Sequence, residues 1–238
     1  MNISIIGYGK MGQQIEKLLR ERGHHISAII DENNINDFES HLFQNSDVAI
    51  EFTSPEVAPD NYIKCFESGV SVVSGTTGWL HRQDEVFKSR EEHKAGFFYA
   101  SNFSLGVNLM FEMNRKMAAL MHKYSEYIPA LEEWHHIQKK DAPSGTARTL
   151  AEDLIVMYPG LKSWNCNTNA ERELLNISAY REGEVFGIHS VKYESEIDWI
   201  ELKHHAKNRS GFVQGAVLAA EFIAGKKGVY GMKDLLNV

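Results

Sequence analysis

The chain has 238 residues, enough for one large domain or two small ones and enough to bury a core. Hydrophobic residues make up 43% and charged residues 24%, the balance of a folded soluble protein, and the formal net charge of −7 argues against nucleic acid or an anionic membrane as main partner. No apolar run reaches the ~18 residues of a membrane-spanning helix; Cys65 and Cys166 are isolated, which points away from a disulfide framework or metal site and toward a reducing cytoplasm.

The chain opens on an alternating apolar strand, Asn2–Ile6, without the basic region or cleavage pattern of a signal peptide. A glycine turn follows, then a helix over Met11–Arg22 with Ile15, Leu18 and Leu19 on one face and Gly23 as its stop. His25–Ile30 is a second strand, closed by Asp31, and Asp47–Phe52 a third. Ser54-Pro55-Glu56 reads as a helix start, with Ser54 as cap and Pro55 in the first turn. Val70–Val73 and Gly96–Tyr99 are further short strands. Strands alternating with helices predict a doubly wound parallel sheet covered on both faces.

The middle of the chain changes character. Gly106–Tyr124 is a long helical stretch, and Thr146–Met157 is a second helix carrying Leu150, Leu154 and Ile155. Tyr127–Trp134, Glu173–Arg181, His189–Ser195 and Glu196–His204 are longer strands with charges at alternate positions. They suit an antiparallel or mixed sheet with one solvated or partner-covered face. Phe212–Ala224 is apolar and helical and is expected to return to the first domain. The fold class is therefore α/β, with a second α+β domain and boundaries near residues 105 and 211.

Gly7-Tyr8-Gly9-Lys10-Met11-Gly12 fits G-x-G-x-x-G between a strand and a helix, and Asp31 ends the next strand. Gly7 permits the tight turn, Gly9 lets a pyrophosphate approach the backbone, and Gly12 lets helix and strand pack closely. The helix N-terminus attracts anions, and Asp31 can accept bonds from ribose hydroxyls. This predicts a Rossmann-type dinucleotide site; a purely structural glycine turn is the alternative. Asp31 and Glu32 would repel a 2′-phosphate and favour NADH, whereas Lys10 would tolerate NADPH. Gly75-Thr76-Thr77-Gly78 and Ala100-Ser101-Asn102-Phe103-Ser104 follow later strands. They are candidates to reach the nicotinamide ribose and carboxamide, or are ordinary strand-to-helix turns.

The strand ending at Trp134 runs into His135-His136, Lys139 and Asp141-Ala142-Pro143-Ser144-Gly145-Thr146. Ser144 is a good N-cap, so Gly145 and Thr146 offer backbone N–H groups at a helix N-terminus, an anion site to which the Thr146 hydroxyl adds a donor. Lys139 brings a positive charge and a transferable proton, His135 and His136 add donors or an acid–base group, and Asp141 can hold Lys139 in place. A plain helix cap beside solvated charges is the blander reading. No Cys, Glu or third His near the pair has zinc-ligand spacing, so no metal is expected.

Glu133-Trp134-His135-His136 through Lys139 and Asp141–Thr146 closely resembles the signature of the 4-hydroxy-tetrahydrodipicolinate reductase (dihydrodipicolinate reductase) family of bacterial lysine and diaminopimelate synthesis. The resemblance runs along nearly the whole chain. It includes Glu51–Glu56, Gly75–Gly78, Ser101–Ser104, Arg181-Glu182-Gly183, Gly187-Ile188-His189, His205-Ala206 with Arg209, and Gly228-Val229-Tyr230. Many members have a longer glycine turn with an Arg where this chain has Lys10, and often a small residue at the position of Trp134.

The resemblance implies that residues 1–105 and 212–238 bind NADH or NADPH. Residues 106–211 would bind a cyclic dicarboxylate and build a homotetramer. It implies His135 as an acid–base group, Lys139 as proton donor, and His136, Ser144, Gly145 and Thr146 as substrate contacts. The implied reaction removes water from the 4-hydroxy ring, adds hydride at C4 and a proton at C3. Another two-domain dehydrogenase acting on a small amino acid, and a non-enzymatic dinucleotide sensor, are the competing readings.

Overall fold

A computed structural model describes residues 1–167 and 173–238. In chain order the elements are β1 (Asn2–Ile6), α1 (Lys10–Glu21), β2 (His25–Ile30), α2 (His41–Gln44), β3 (Val48–Glu51), α3 (Ala58–Glu67), β4 (Ser71–Ser74), α4 (Gln83–Glu92), β5 (Gly96–Tyr99) and α5 (Leu105–Met121). Then come β6 (Ile128–His135), α6 (Gly145–Met157), β7 (Ser163–Cys166), β8 (Leu174–Arg181), β9 (Ile188–Glu194), β10 (Trp199–His205), α7 (Ser210–Ile223), β11 (Gly228–Tyr230) and α8 (Met232–Leu236). Two compact units form: Met1–Leu105 with Ser210–Val238, and Gly106–Arg209.

The first unit is built on a six-stranded sheet in the order β11-β5-β4-β3-β1-β2, with every pairing parallel. All four residues of β3 and of β4 are buried, as expected for strands covered on both faces. One face packs Ile3, Ile5 and Phe98 against Ile15 and Leu19 of α1 and the small-residue surface of α7. The other packs Ile6 and Phe97 with Phe43, Tyr62, Phe66 and Trp79. The order reverses between β1 and β3, and that switch point is where such sheets open a binding crevice.

The helix expected at Ser54 starts later, at Ala58, because Pro59 dictates it. A helix begun at Ser54 would place Pro59 inside, where it has no N–H to donate and its ring meets the preceding turn. Instead Pro59 occupies the first turn of α3, and the Ser54 carbonyl accepts the Ala58 N–H at 3.0 Å.

The second unit has a five-stranded sheet, β10-β9-β6-β8-β7, antiparallel from β10 to β6 and parallel from β6 to β7. It is thus the mixed form. The strand expected from Glu196 begins only at Trp199, because Ser195 and Asp198 close a turn: the Ser195 N–H donates to the Asp198 carbonyl at 2.9 Å. Leu131, Ile177, Val191 and Tyr193 point to one face, which α5 and α6 cover with Met110, Ala118, Leu150 and Leu154. On the opposite face Trp134 stacks on Tyr180 across β6 and β8, ring centres 5.0 Å apart, and Lys203 lies over the Trp134 ring.

Candidate active site

In the first unit the glycine turn sits at the switch point. Gly7 has φ +88°, and a Cβ there would stand 2.1 Å from the Phe52 carbonyl oxygen beyond β3; a Cβ on Gly12 would stand 2.2 Å from the Gly7 carbonyl oxygen. Both positions therefore require glycine for packing, and Gly7 also for its conformation. Gly9 differs: nothing lies within 4 Å of its Cβ position, and it precedes α1 without a side-chain cap. That open approach to an uncapped helix N-terminus fits a pyrophosphate.

Asp31 is exposed at the end of β2 and fastens the turn, its Oδ2 accepting the Tyr8 N–H at 3.3 Å. Beside it opens a cleft of about 370 Å³ whose walls include Asp31, Ile35, Phe38, Thr53, Val57 and Asn61. Ile35 and Val57 are exposed apolar side chains there, 53% and 48% accessible, a surface suited to a flat heterocycle beside the Asp31 carboxylate. Lys10 is exposed at the first position of α1, and Met11 is half-buried behind it.

The later loops divide. Thr77 and Ser101 are exposed, and Ala100 and Asn102 are half-buried. Thr76 is buried: its hydroxyl accepts the Thr53 N–H at 2.9 Å and donates to Glu51 at 3.1 Å. Phe103 is 2% exposed and packs on Phe52 and Phe98, and the absence of a side chain at Gly215 lets α7 pass its carbonyl. The side chains of Thr76 and Phe103 therefore hold the loops in place, which leaves the backbone as what these two positions can offer a cofactor. Gly75 is needed because a Cβ there would meet the Phe52 ring at 2.1 Å.

Glu51 organises these loops and was not foreseen. Wholly buried at the end of β3, it accepts hydrogen bonds from the Thr53 hydroxyl and N–H, from Thr76, and from Ser74 at 2.8 Å. Burial raises its carboxyl above the usual range, and those hydroxyl bonds offset only part of the effect.

In the second unit, strand alternation puts Leu131, Glu133 and His135 on the covered face of β6. Glu133 is fully buried. Its Oε1 accepts the Ser144 N–H and an Arg181 guanidinium N–H, each at 3.0 Å. Its Oε2 lies 3.4 Å from His135 Nδ1 and 3.7 Å from His189 Nε2. His189 enters from β9 in register with Glu133. Burial pushes the His135 imidazole down to about 4, against the pull of Glu133, and pushes His189 down to about 3.

Lys139 lies on the loop that follows β6, its ammonium donating to both Asp141 oxygens at 2.8 and 3.0 Å. Burial would raise the Asp141 carboxyl, but the Lys139 ammonium outweighs it and holds it below the usual range. His136 is half-buried, with a buried Nδ1 that has no hydrogen-bond partner. A cis peptide joins Ala142 to Pro143 and turns the chain into α6.

Ser144 caps α6 by accepting the Ala147 N–H at 3.2 Å, and its own N–H goes to Glu133. Ser144 is 3% exposed, and with these bonds made it orients the start of α6. Gly145 is exposed, with nothing within 4 Å of its Cβ position, and Thr146 follows half-buried.

Glu133, His135 and His189 bring three metal-ligating atoms within 4.8 Å of one another, a grouping that sequence spacing did not reveal. Only Glu133 and His135 are close in the chain; the third member comes from another strand. The Arg181 guanidinium already on Glu133 and the nearby Lys139 ammonium disfavour adding a divalent cation there. Glu133 itself stands two residues before His135 on a strand, so period-two alternation would have found it. Arg181 and His189 become neighbours of Glu133 only through sheet pairing.

Two family models cover almost the whole chain: "Dihydrodipicolinate reductase, N-terminus" matches residues 1–103 and "Dihydrodipicolinate reductase, C-terminus" residues 106–236. The chain belongs to the dihydrodipicolinate reductase family. A 4-hydroxy-tetrahydrodipicolinate reductase of Christiangramia forsetii is 46% identical over 100% of this chain and 98% of its own length. One from Alkaliphilus oremlandii is 36% identical over 81% of this chain and 80% of its own. A dipicolinate-bound dihydrodipicolinate reductase structure from Paenisporosarcina sp. TG-14 superposes with a TM-score of 0.78. It is 25% identical and covers 98% of this chain and 99% of that one.

The family activity, NAD(P)H-dependent reduction of 4-hydroxy-tetrahydrodipicolinate in lysine and diaminopimelate synthesis, is thereby the activity of this chain. An NAD(P)-binding domain is part of that family, and the first unit is the one with the parallel six-stranded sheet. Among the described residues no helix is long and apolar enough to cross a membrane.

Proposed function

We propose that Lys139 is the proton donor of this reductase and that the substrate is a cyclic dicarboxylate held at the N-terminus of α6. The observation that carries the reading is the Lys139–Asp141 ion pair, held on the loop that leads from β6 into α6. The dipicolinate-bound relative supports the substrate class. Gly145 and Thr146 are the carboxylate contacts, and Ser144 aligns the helix that bears them. His136 completes the binding set.

When bound, NAD(P)H supplies the hydride, which goes to ring C4 after the 4-hydroxyl has left as water. Lys139 then gives its proton to C3, and Asp141 keeps the ammonium in place until it does. His135 is buried and neutral near pH 7, so it serves as an uncharged hydrogen-bonding or basic group and not as the proton source. Fixing one carboxylate and the donor on one loop removes positional entropy from the barrier.

Gly7, Gly9, Gly12, Lys10 and Met11 form the phosphate turn, Asp31 takes the adenosine ribose, and the cleft with Ile35 and Val57 takes the adenine. The carboxylates of Asp31 and Glu32 favour NADH, with NADPH also used. The enzyme works in the cytoplasm as a homotetramer, with the sheet face of Trp134, Tyr180 and the 62% exposed Trp199 between subunits.

The test is turnover of freshly made 4-hydroxy-tetrahydrodipicolinate by the wild type and by Lys139→Ala, followed as NADH and NADPH oxidation. Unimpaired turnover in Lys139→Ala would sink the assignment of the donor. Light scattering of the purified protein decides the tetramer.

A further inference from the structure

We propose that Arg181 is a positioning residue for the reduction, acting by fixing the backbone that carries the Lys139–Asp141 pair. The proposal rests on the reading of Lys139 as proton donor.

Arg181 ends β8, directly in register with His135 on β6. Its side chain is 19% exposed, and its donors reach four acceptors. Nη2 donates to Glu133 Oε1 at 3.0 Å and to the Asp141 carbonyl at 2.5 Å. Nη1 donates to the Tyr180 carbonyl at 2.7 Å, and Nε lies 3.4 Å from the Lys139 carbonyl. The guanidinium therefore joins a buried carboxylate on β6 to loop carbonyls on either side of Lys140.

Those two carbonyls belong to the residues whose side chains form the ion pair. Pinning them limits where the Lys139 ammonium can stand. A loop held only by the surface ion pair would give little such restraint, because exposed pairs contribute ~0–1 kcal/mol. The anchor is stronger: Glu133 is wholly buried and bonded also to the Ser144 N–H, so one carboxylate ties the donor loop and the start of α6 together. Only a planar fork with five donors serves acceptors placed this way; a lysine there keeps the charge and loses the geometry.

A merely structural strap would lower stability and leave turnover per folded molecule unchanged. Positioning predicts a loss in kcat that requires Lys139. The experiment is a double-mutant cycle on the full-length enzyme, with Arg181→Met, Lys139→Ala and the double variant. Each is measured for kcat, for KM of the cyclic substrate and for NADH affinity by fluorescence.

Arg181→Met is expected to lower kcat about 30-fold while changing KM and NADH affinity less than about threefold. In the Lys139→Ala background it is expected to cost almost nothing further. Guanidinium ion at non-denaturing concentration is expected to restore part of kcat in Arg181→Met and none in the double variant. Losses that multiply in the double variant, or a folded Arg181→Met with unchanged kcat, overturn the proposal. If circular dichroism shows that Arg181→Met does not fold, Arg181→Lys carries the same cycle with the same two outcomes. Full kcat in Lys139→Ala alone would instead remove the underlying reading of Lys139, and that single arm shows it.

Discussion

Glu133 Oε2 lies 3.4 Å from His135 Nδ1, and both atoms are shut off from solvent with no hydrogen bond completed by either. His189 approaches the same oxygen, and His204 stands opposite His189 on β10. Arg181 and Lys139 supply positive charge that opposes protonation of His135. The fold thus keeps two imidazoles neutral around one buried carboxylate.

A dependence of stability on pH follows from the sign of these shifts. His135 and His189 titrate in the folded state at about 4 and about 3, below the unfolded value. The unfolded chain therefore binds protons first as pH falls. Stability is fully present above the unfolded histidine value near 6.5, and drops toward pH 4 with a slope approaching ~1.4 kcal/mol per pH unit for each histidine. Urea unfolding at a series of pH values measures it. His189→Phe is expected to flatten the slope, and an equal slope in that variant would refute this origin.

Lys139→Ala is expected to reduce kcat by about 100-fold or more, the scale of a lost general acid. Thr146→Ala is expected to act mainly on KM, because the carboxylate contact proposed for it would be made equally in substrate and transition state. Steady-state kinetics with NADH in excess separates the two effects.

Gly7 and Gly9 are expected to respond oppositely to alanine. Gly7→Ala meets the Phe52 carbonyl at a positive φ and is expected to destabilise the domain by ~2–4 kcal/mol. Gly9→Ala has room for its methyl group and is expected to keep the melting temperature while weakening cofactor binding at least about tenfold, because the methyl stands where the pyrophosphate approaches. Thermal unfolding paired with NADH titration tests both variants.

Glu51→Gln is expected to leave stability at neutral pH unchanged or higher. Its carboxyl is raised in the folded state, so ionisation above the unfolded value near 4.3 opposes folding as pH rises. Glutamine keeps an acceptor for Thr53 and Thr76, and the Ser74 hydroxyl can turn to accept. Glu51→Ala leaves those groups without a partner and is expected to cost ~2 kcal/mol or more. Denaturation midpoints of the two variants, compared at pH 7.5, decide the point.

Asp31→Ser is expected to shift the ratio of kcat/KM for NADH over NADPH toward NADPH by about tenfold, through removal of a carboxylate from the ribose site. An unchanged ratio would mean that Glu32 or the cleft wall sets the preference.

Much of the molecule could be read from local pattern. Apolar alternation located β1, β2 and β6, glycine spacing located the turn between β1 and α1, and Ser144 was recognisable as a cap because its neighbours in sequence are its neighbours in space. The Glu133-to-Thr146 run points to the family by itself, because its residue types stand at fixed spacing within one segment. The start of α3 differs from the sequence reading because Pro55 and Pro59 both suit a first turn, and Pro59 takes it. Residue type alone does not show which hydrogen bonds Thr76 and Ser144 make, nor that Phe103 packs inside. Arg181, His189 and Glu51 acquire their roles from pairing between strands tens of residues apart. A buried carboxylate needs donors on every side, and only the tertiary structure decides which side chains supply them.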